Sequence, residues 1–181
     1  MIVGITGKAQ HGKDTAGQVF MNHGFLRIAF ADKLKEIVNS SDMVSEEDII
    51  SKSDHYRSVL QAVGHMAREL VDPDFWIKKV WSDPDIIAHL SAGSNIIVTD
   101  IRYPNEADHI LRSGGYVIRV VRVDSHGKTE IMLPGSRANF PSEISMDEYP
   151  DVDAEFRIRS GDLEALEVEI EEWLVSIRDS D

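Results

Sequence analysis

The sequence predicts an α/β fold in which a parallel sheet of five strands is covered by helices. Five short apolar runs are separated by stretches of helical length, and this alternation is typical of parallel sheets. A glycine-containing turn joins the first run to the first helix. With 181 residues, 42% hydrophobic and 28% charged, the chain is long enough for one domain with a real core. We therefore expect a single domain spanning residues 1–181, without repeats or linkers.

The strands and helices follow one another in a regular order. The strand-like runs comprise residues 2–6, 25–30, 95–99, 116–121 and 155–158. The helical stretches comprise residues 13–23, 32–39, 54–71, 74–91, 104–113 and 162–177. Gly24 is expected to end the first helix as its C′ residue, because glycine adopts the left-handed conformation there without steric cost. In the last helix, apolar residues with helical spacing form one stripe that would face the core.

A long segment, residues 123–154, lies between the fourth and fifth strands and shows little periodicity. Three prolines interrupt it. Irregular segments of about 30 residues are uncommon in compact domains and are usually functional or mobile. We interpret it as a lid region that carries Lys128 and Arg137 and contains a short helix or hairpin of its own.

The formal net charge of −13 is concentrated near the C-terminus. Residues 143–181 contain 14 acidic and 3 basic residues, a balance of −11, whereas residues 1–142 contain 18 acidic and 16 basic residues, a balance of −2. A nearly neutral body does not repel a phosphate, but the acidity of the whole chain argues against binding the backbone of a nucleic-acid polymer. The acidic C-terminal helix is interpreted as a solvated face, and a homodimer surface is left open.

The composition also indicates a compartment. The chain has no cysteine, which excludes disulfides and thiolate metal sites. No apolar run reaches the length of about 18 residues that a membrane helix needs. The N-terminus meets its glycine loop too early for a signal peptide. We therefore expect a cytoplasmic protein that does not bind membranes.

Residues 7–15, GKAQHGKDT, nearly match the phosphate-binding motif G-x-x-x-x-G-K-[ST]. A strand precedes them and a helix follows, as the motif requires. Gly7 and Gly12 allow the backbone to curl so that N–H groups point inward, and Lys13 supplies a mobile charge beside the positive end of the helix. An ordinary strand–helix turn is the alternative. We expect the phosphates of a nucleotide to bind this loop, which comprises Gly7, Lys8, Ala9, Gln10, His11, Gly12, Lys13, Asp14 and Thr15.

Asp14 stands where the motif has a hydroxyl, and Thr15 follows one residue later. A carboxylate beside phosphates is repelled unless a cation lies between them. Asp14 therefore either helps to hold Mg²⁺ or points away and favours the helix N-terminus electrostatically. Thr15 can still offer its hydroxyl near the phosphates, so both residues are candidate metal ligands.

The third strand ends in an acidic residue, Asp100, and Arg102 follows it. An apolar strand that ends in Asp is typical of a carboxylate that reaches Mg²⁺ through water. Arg102 would lie at the same edge of the sheet, where ligands of open α/β sheets bind. Pro104 suits the first turn of the next helix. A plain turn residue at the end of the strand is the alternative for Asp100.

Asp32 and Lys33 stand where the second strand ends and a helix begins. Because ligands bind at the carboxyl ends of parallel strands, both are candidate binding residues. The alternative for Asp32 is the N-cap of that helix, a position that Asp favours.

A polar stripe is predicted on the helix of residues 54–71. At 100° per residue, Arg57, Gln61, Gly64 and Arg68 fall within an arc of about 60°. Two arginines and a glutamine beside a glycine gap suit a phosphate and the edge of a base, and a solvated face is the alternative. Trp76, just beyond, is mainly a core candidate that could also stack on a base.

Three blocks of the sequence carry a resemblance to a known family. They are the loop GKAQHGKDT, the block FADKLKE, and TDIRYPNEAD followed by GGYVIRVVR. They resemble the deoxynucleoside monophosphate kinases of bacteriophages over roughly residues 1–165. NFPSE, residues 139–143, is similar to a His-Pro-Ser-Glu-like segment but has Phe140 in place of His. These kinases usually have Lys-Asp-Thr in the loop, and the similar adenylate kinases have Lys-Gly-Thr.

The resemblance implies the three-layer P-loop kinase fold, with a five-stranded parallel sheet flanked by helices and a lid. It also implies transfer of the γ-phosphoryl group of ATP to a (deoxy)nucleoside monophosphate, with Mg²⁺ near Asp100 and Asp14 or Thr15. For a phage protein the compartment would be the host cytoplasm. The residues expected to act on the transferred group are Lys13, Arg102, Arg122 and Arg137. The residues expected to bind the acceptor are Asp32, Lys33, Arg57, Gln61, Arg68, Trp76 and Glu143.

Two other functions share some of these features. Another small-molecule kinase, of the dephospho-coenzyme A or phosphomevalonate type, would have the same loop and sheet. A non-catalytic nucleotide-binding switch would have the loop but would not need the arginines outside it, which argues against a switch.

Overall fold

The computed structural model of the protein describes residues 1–133 and 138–178, and these residues form the following strands and helices. The strands are β1 (Ile2–Thr6), β2 (Leu26–Ile28), β3 (Ile96–Ile101), β4 (Tyr116–Val123) and β5 (Ala154–Arg159). The helices are α1 (Lys13–Asn22), α2 (Phe30–Asn39), α3 (Glu46–Ser51), α4 (Asp54–Met66), α5 (Phe75–Trp81), α6 (Pro84–Ser91), α7 (Pro104–Arg112), α8 (Pro141–Ile144) and α9 (Leu163–Arg178).

The strands form one five-stranded sheet in the order β2-β3-β1-β4-β5, and every neighbouring pair is parallel. The predicted α/β fold is therefore confirmed. β1 lies in the middle of the sheet, so the loop that follows it leaves the centre of the carboxyl edge. In parallel sheets of this kind, ligands bind at that edge.

Helices cover both faces of the sheet. On one face, α1 and α9 pack against alternate strand residues, and the buried side chains include Val3, Phe20, Ile118 and Leu166. On the other face, α7 lies so close to β1 that a Cβ atom on Gly4 would meet the Ile110 side chain at 3.4 Å. Apolar side chains thus leave water on both faces, as expected for a parallel sheet.

The chain divides into two compact units, each described here by itself. The first comprises Met1–Ile28 and Gly93–Asp181 and contains the sheet with α1, α7, α8 and α9. The second comprises Ala29–Ala92 and contains α2 to α6. A single P-loop kinase domain stays a prediction.

Several element boundaries differ from the prediction, each for a local reason. The predicted helix 74–91 is two helices, because Pro84 lacks an N–H and the Asp83 side chain accepts a hydrogen bond from the Asp85 N–H at 2.9 Å. The predicted helix 54–71 ends its α-helical part at Met66 and continues as a π-helical turn, Ala67–Val71. The unpredicted α3 begins with a capping box formed by Ser45 and Asp48.

The predicted lid region has little regular structure where it is described. It contains the four-residue helix α8 and an antiparallel bridge between Val123 and Thr129. The Gly24 prediction is confirmed, since this residue follows the C-cap of α1 with φ +83°. Among the helices of the described residues, none is long and apolar enough to span a bilayer.

Candidate functional site

The loop between β1 and α1 has the curl that the motif predicts. Gly7, Gln10 and Gly12 have positive φ angles of 142°, 63° and 95°, and Gly12 is the N-cap of α1. The loop also lies directly on β4, because a Cβ atom on Gly7 would come within 2.3 Å of the Val120 carbonyl oxygen. A curled loop that leads into a helix N-terminus can bind anions through its backbone N–H groups.

The Lys13 side chain folds back into this loop. Its ammonium donates hydrogen bonds to the carbonyl oxygens of Gly7 at 2.8 Å and Lys8 at 2.7 Å, and the residue is only 8% exposed. Burial, and after it the nearby charge of Arg102, lower the pKa of Lys13, which comes to about 7 in all. The carboxylates of Glu143, Asp14 and Asp100 oppose that shift. The loop therefore holds a cation that an additional anion would stabilise.

A carboxylate from the lid region occupies the mouth of the loop. Glu143 accepts a hydrogen bond from the Ala9 backbone N–H at 3.0 Å and pairs with the Arg102 guanidinium at 2.7 Å. Its side chain is 8% exposed. An anionic ligand that binds the Ala9 N–H and Arg102 would compete with this carboxylate. The structure thus brings together three predicted site residues that are far apart in sequence.

Lys8 forms a second contact between the loop and the lid-region residues near Glu143. Its ammonium lies 2.7 Å from the Asp147 carboxylate and donates a hydrogen bond to the Glu143 carbonyl oxygen at 3.2 Å. Sequence reasoning did not identify Asp147, because nothing local to it indicates a partner 139 residues away.

Glu106 is a second residue that sequence reasoning did not identify as part of the site. It is 1% exposed, and its carboxylate accepts hydrogen bonds from the backbone N–H groups of Arg102 at 2.8 Å and Tyr103 at 3.1 Å. It therefore holds the backbone of Arg102 at the end of β3. A local signal existed, since Glu at the third position of a helix whose first residue is proline is typical of a capping box.

A cavity of about 360 Å³ lies beside the loop in the first unit. Its wall combines loop residues, the end of β3, and strands β4 and β5. The charged lining residues are Lys8, Arg102, Arg119, Glu143, Asp147, Glu155 and Arg157. The volume lies in the range of sites for small ligands.

The candidate metal ligands are all oxygen donors near the loop. Asp14 lies in the first turn of α1 and is exposed, and Asp100 is the fifth residue of β3. Both carboxylates favour the charged form of Lys13. Within residues 1–133 and 138–178, no three His, Asp or Glu side chains converge on one point. The donor set fits Mg²⁺, which binds proteins through one or two carboxylates and completes its coordination with phosphates and water.

Arg122 lies near the end of β4, on the lid side of the loop. Its Nε lies 2.7 Å from the Glu130 carboxylate, and its Nη2 contacts the Ser160 hydroxyl. The structure therefore places it next to the loop that joins β5 to α9. Arg137 lies outside the described residues, so its predicted role stays a prediction.

Two candidate residues, Asp32 and Lys33, lie on α2 in the second unit. α2 begins at Phe30 with Ala29 as N-cap, so the alternative of Asp32 as N-cap is wrong. Asp32 pairs with Lys35 at 3.3 Å. Lys33 pairs with Asp83 at 2.5 Å and Glu36 at 3.0 Å, and the hydrogen bond to Asp83 raises the pKa of Lys33.

The space predicted beside Gly64 on α4 is occupied by the Leu34 side chain and is not open to a ligand. A Cβ atom on Gly64 would lie 3.2 Å from the Leu34 side chain, and its carbonyl oxygen accepts hydrogen bonds from Arg68 at 2.9 Å and Trp76 at 3.0 Å. The π-helical turn also removes Arg68 from the α-helical register assumed for the stripe. Arg57 and Gln61 remain on α4, Arg57 exposed and Gln61 half-buried.

Trp76 belongs to the core of the second unit. It is 2% exposed, and its indole N–H donates to the Gly64 carbonyl oxygen. Its ring also packs edge-on against Phe75, with 4.8 Å between centroids. The expectation that Trp76 stacks on a base is therefore corrected, because no ring face is left for a ligand.

A distant relative of the chain has an informative name. The chain is 26% identical to "Putative deoxynucleotide monophosphate kinase" of Acanthamoeba polyphaga mimivirus, with 67% of this chain and 74% of that protein aligned. No model of a known protein family matches the sequence.

Solved structures of small-molecule kinases share the fold over almost the whole chain. A sugar kinase from Janibacter sp. HTCC2649 matches with a TM-score of 0.52 and 17% identity, covering 98% of this chain and 94% of that one. Dephospho-CoA kinase from Campylobacter jejuni matches with a TM-score of 0.52 and 14% identity, covering 97% and 96%. The protein has the fold of the P-loop small-molecule kinases and is a distant relative of a protein named as a deoxynucleotide monophosphate kinase.

Proposed function

We propose that the protein transfers the γ-phosphoryl group of ATP to a (deoxy)nucleoside monophosphate, giving the diphosphate and ADP. The observation that carries the proposal is the loop of residues 7–15. In this loop the Lys13 ammonium donates hydrogen bonds to two backbone carbonyl oxygens, and the Ala9 N–H donates one to the Glu143 carboxylate. Nucleotide phosphates would replace those oxygens. The kinase fold and the name of the mimivirus relative support the same activity.

The residues of the first unit would bind ATP and stabilise the transferred group. The loop would hold the phosphates, with Lys13 beside the β- and γ-phosphates. Arg102 and Arg122 would gather positive charge on the transferred group, and Arg137 would join them when the lid closes. When bound, Mg²⁺ would neutralise charge on the β- and γ-phosphates, and Asp100, Asp14 and Thr15 are the residues that would hold it.

Glu143 of the first unit stays a predicted binding residue, and within the second unit Asp32, Lys33, Arg57, Gln61 and Arg68 would bind the acceptor. An oxygen of its phosphate would form a bond to the γ-phosphorus while the bond to the oxygen bridging the β- and γ-phosphorus breaks. The acceptor phosphate is already anionic, so the reaction needs positioning and charge neutralisation more than a general base. Closure of the lid would keep water away from the phosphoryl group.

A panel of acceptors tests this function. Phosphoryl transfer from ATP is measured as ADP formation in a coupled assay, with each common ribo- and deoxyribonucleoside monophosphate and with dephospho-coenzyme A, shikimate and phosphomevalonate. We expect ADP formation that depends on at least one nucleoside monophosphate. A reaction without acceptor measures any background hydrolysis. Turnover with none of the monophosphates would refute the proposal. Turnover only with another acceptor would instead identify the protein as a kinase for that small molecule.

The pKa of Lys13 predicts that nucleotide binding takes up a proton. With a pKa of about 7, Lys13 is charged below pH 7 in the free protein and loses its proton above it. Nucleotide phosphates favour the ammonium, so the pKa rises on binding. Between the two pKa values, the affinity for ADP should fall by up to about tenfold per pH unit as the pH rises.

Calorimetry at pH 8 measures this uptake directly. The heat of ADP binding is compared in two buffers that differ in ionisation enthalpy, and the difference gives the number of protons taken up. Lys13→Arg is the matched control, because its guanidinium stays charged at pH 8 and should take up none from this position. Equal proton uptake by both proteins would contradict the prediction.

A further inference from the structure

We propose that His11, in its neutral form with the proton on Nε2, positions the phosphate loop against β4. The inference rests on the proposed function in one respect, that the loop binds nucleotide phosphates. It assigns a task to a loop residue whose side chain the motif leaves unspecified.

The hydrogen bonds of His11 determine its tautomer. The residue is 4% exposed, and its Nε2 lies 2.8 Å from the Glu130 carbonyl oxygen. Its Nδ1 accepts a hydrogen bond from the Arg122 backbone N–H at 3.2 Å. A carbonyl oxygen can only accept, and a backbone N–H can only donate. Both hydrogen bonds therefore form together only when Nε2 carries the proton and Nδ1 does not.

The hydrogen bond from the Arg122 N–H to His11 lies beyond the end of the β1–β4 pairing, where pairing with β1 no longer holds the loop on β4. β1 ends at Thr6, opposite Arg119, whereas β4 continues to Val123. Arg122 lies three residues after Arg119 on β4, and His11 provides the acceptor for its N–H. The start of the loop is held by the close approach of Gly7 to Val120. His11 thus ties the second half of the loop to the same strand.

The same side chain joins the loop to the segment that leads into the lid. Its Nε2 bonds to the backbone of Glu130, and the Glu130 carboxylate pairs with Arg122 at 2.7 Å. Loop, strand and segment therefore share one small network. Removing the imidazole would remove the hydrogen bonds of His11 to β4 and to Glu130, while the start of the loop stays in contact with Val120.

The charges around His11 favour the neutral form. Burial lowers its pKa below the ordinary value, and Lys13 and Lys8 of the loop lower it as well. The carbonyl groups of Glu130 and Val120 act in the opposite direction and are outweighed. The other charged groups in this network are the side chains of Arg122 on β4 and of Glu130 on the following segment. A proton added at acid pH would go to Nδ1, where it faces the Arg122 N–H and breaks that hydrogen bond.

The test measures ADP affinity between pH 4.5 and 8 for four proteins. His11→Asn retains an acceptor near the Nδ1 position, and His11→Gln retains a donor near the Nε2 position, but neither titrates. His126→Gln is the control, because His126 is an exposed histidine in the turn before Glu130. Circular dichroism establishes that each variant is folded. The phosphates of ADP titrate equally in all four measurements, so a difference in pH dependence between the wild type and the His11 variants comes from His11.

We expect the wild type and His126→Gln to lose about tenfold more affinity below pH 6 than the two His11 variants, the effect of about one hydrogen bond. In the nitrogen NMR spectrum of the wild type at pH 7, His11 should be neutral and protonated on Nε2. A charged or Nδ1-protonated ring, or the same acid loss in all four proteins, would overturn the inference. Failure of the acceptor panel with intact ADP binding would refute the kinase activity and leave the role of His11 standing.

Discussion

Replacing Lys13 by methionine is expected to lower the kcat of phosphoryl transfer by about a thousandfold, the usual effect of removing one charged donor from a developing anion. The ammonium now donates to the carbonyl oxygens of Gly7 and Lys8, which hold it within the loop. Methionine has a similar length but no charge, so the phosphates would lose their nearest cation. Measurement of kcat and KM for ATP checks this result.

The fold should tolerate the same substitution. Burial lowers the pKa of Lys13 to about 7, which shows that the folded protein destabilises its charged form. An apolar side chain removes this desolvation cost while leaving two carbonyl oxygens without the ammonium. We therefore expect a change in the free energy of unfolding of no more than about 1 kcal/mol. Lys52→Met, at an exposed position in the second unit, is the control and should keep normal turnover. Near-normal activity of Lys13→Met would show that the loop does not bind the transferred phosphate.

The second large effect is expected for Gly7→Ala, which should destabilise the protein by about 3 kcal/mol or more. Gly7 has φ +142°, and an added Cβ atom would lie 2.3 Å from the Val120 carbonyl oxygen. That oxygen belongs to β4, which pairs with β1 on one side and β5 on the other, so it cannot move aside. The loop would have to leave the strand, and ADP binding should be lost with it.

Gly24→Ala is the matched control for this experiment. Gly24 also has a positive φ, +83°, but among the described residues no atom lies within 4 Å of an added Cβ. Its substitution should cost about 1 kcal/mol through backbone strain alone. Urea unfolding measures both free energies, and ADP titration measures the function of the loop. Equal losses for the two variants would mean that Val120 does not constrain Gly7.

The contact between Glu143 and the loop joins the predicted lid region to two groups of the candidate phosphate site. Its carboxylate holds the Ala9 N–H and Arg102, two groups proposed to meet phosphates. The same carboxylate favours the charged form of Lys13. A nucleotide that displaces Glu143 would therefore take over the stabilisation of this cation.

Local chemistry in the sequence was sufficient for the architecture. The five parallel strands and the loop after β1 follow from apolar runs, glycines and helix spacing, which act over a few residues. Gly24 ends α1 as predicted, because glycine adopts a positive φ angle whatever its tertiary surroundings. The same kind of signal was present but unused at Glu106 and at Ser45 of α3, both in capping boxes.

Only the tertiary structure decided which side chains meet at the loop and which are buried. Ala9 and Glu143 are 134 residues apart, and no periodicity or turn rule relates a backbone N–H to a carboxylate at that distance. The sequence left Trp76 between the core and a stacking role, and the burial of its ring with its N–H donating to the Gly64 carbonyl oxygen decided for the core. The low pKa of Lys13 likewise comes from burial and from the charge of Arg102. Amino-acid type determines which interactions a residue can make, and packing determines which of them form.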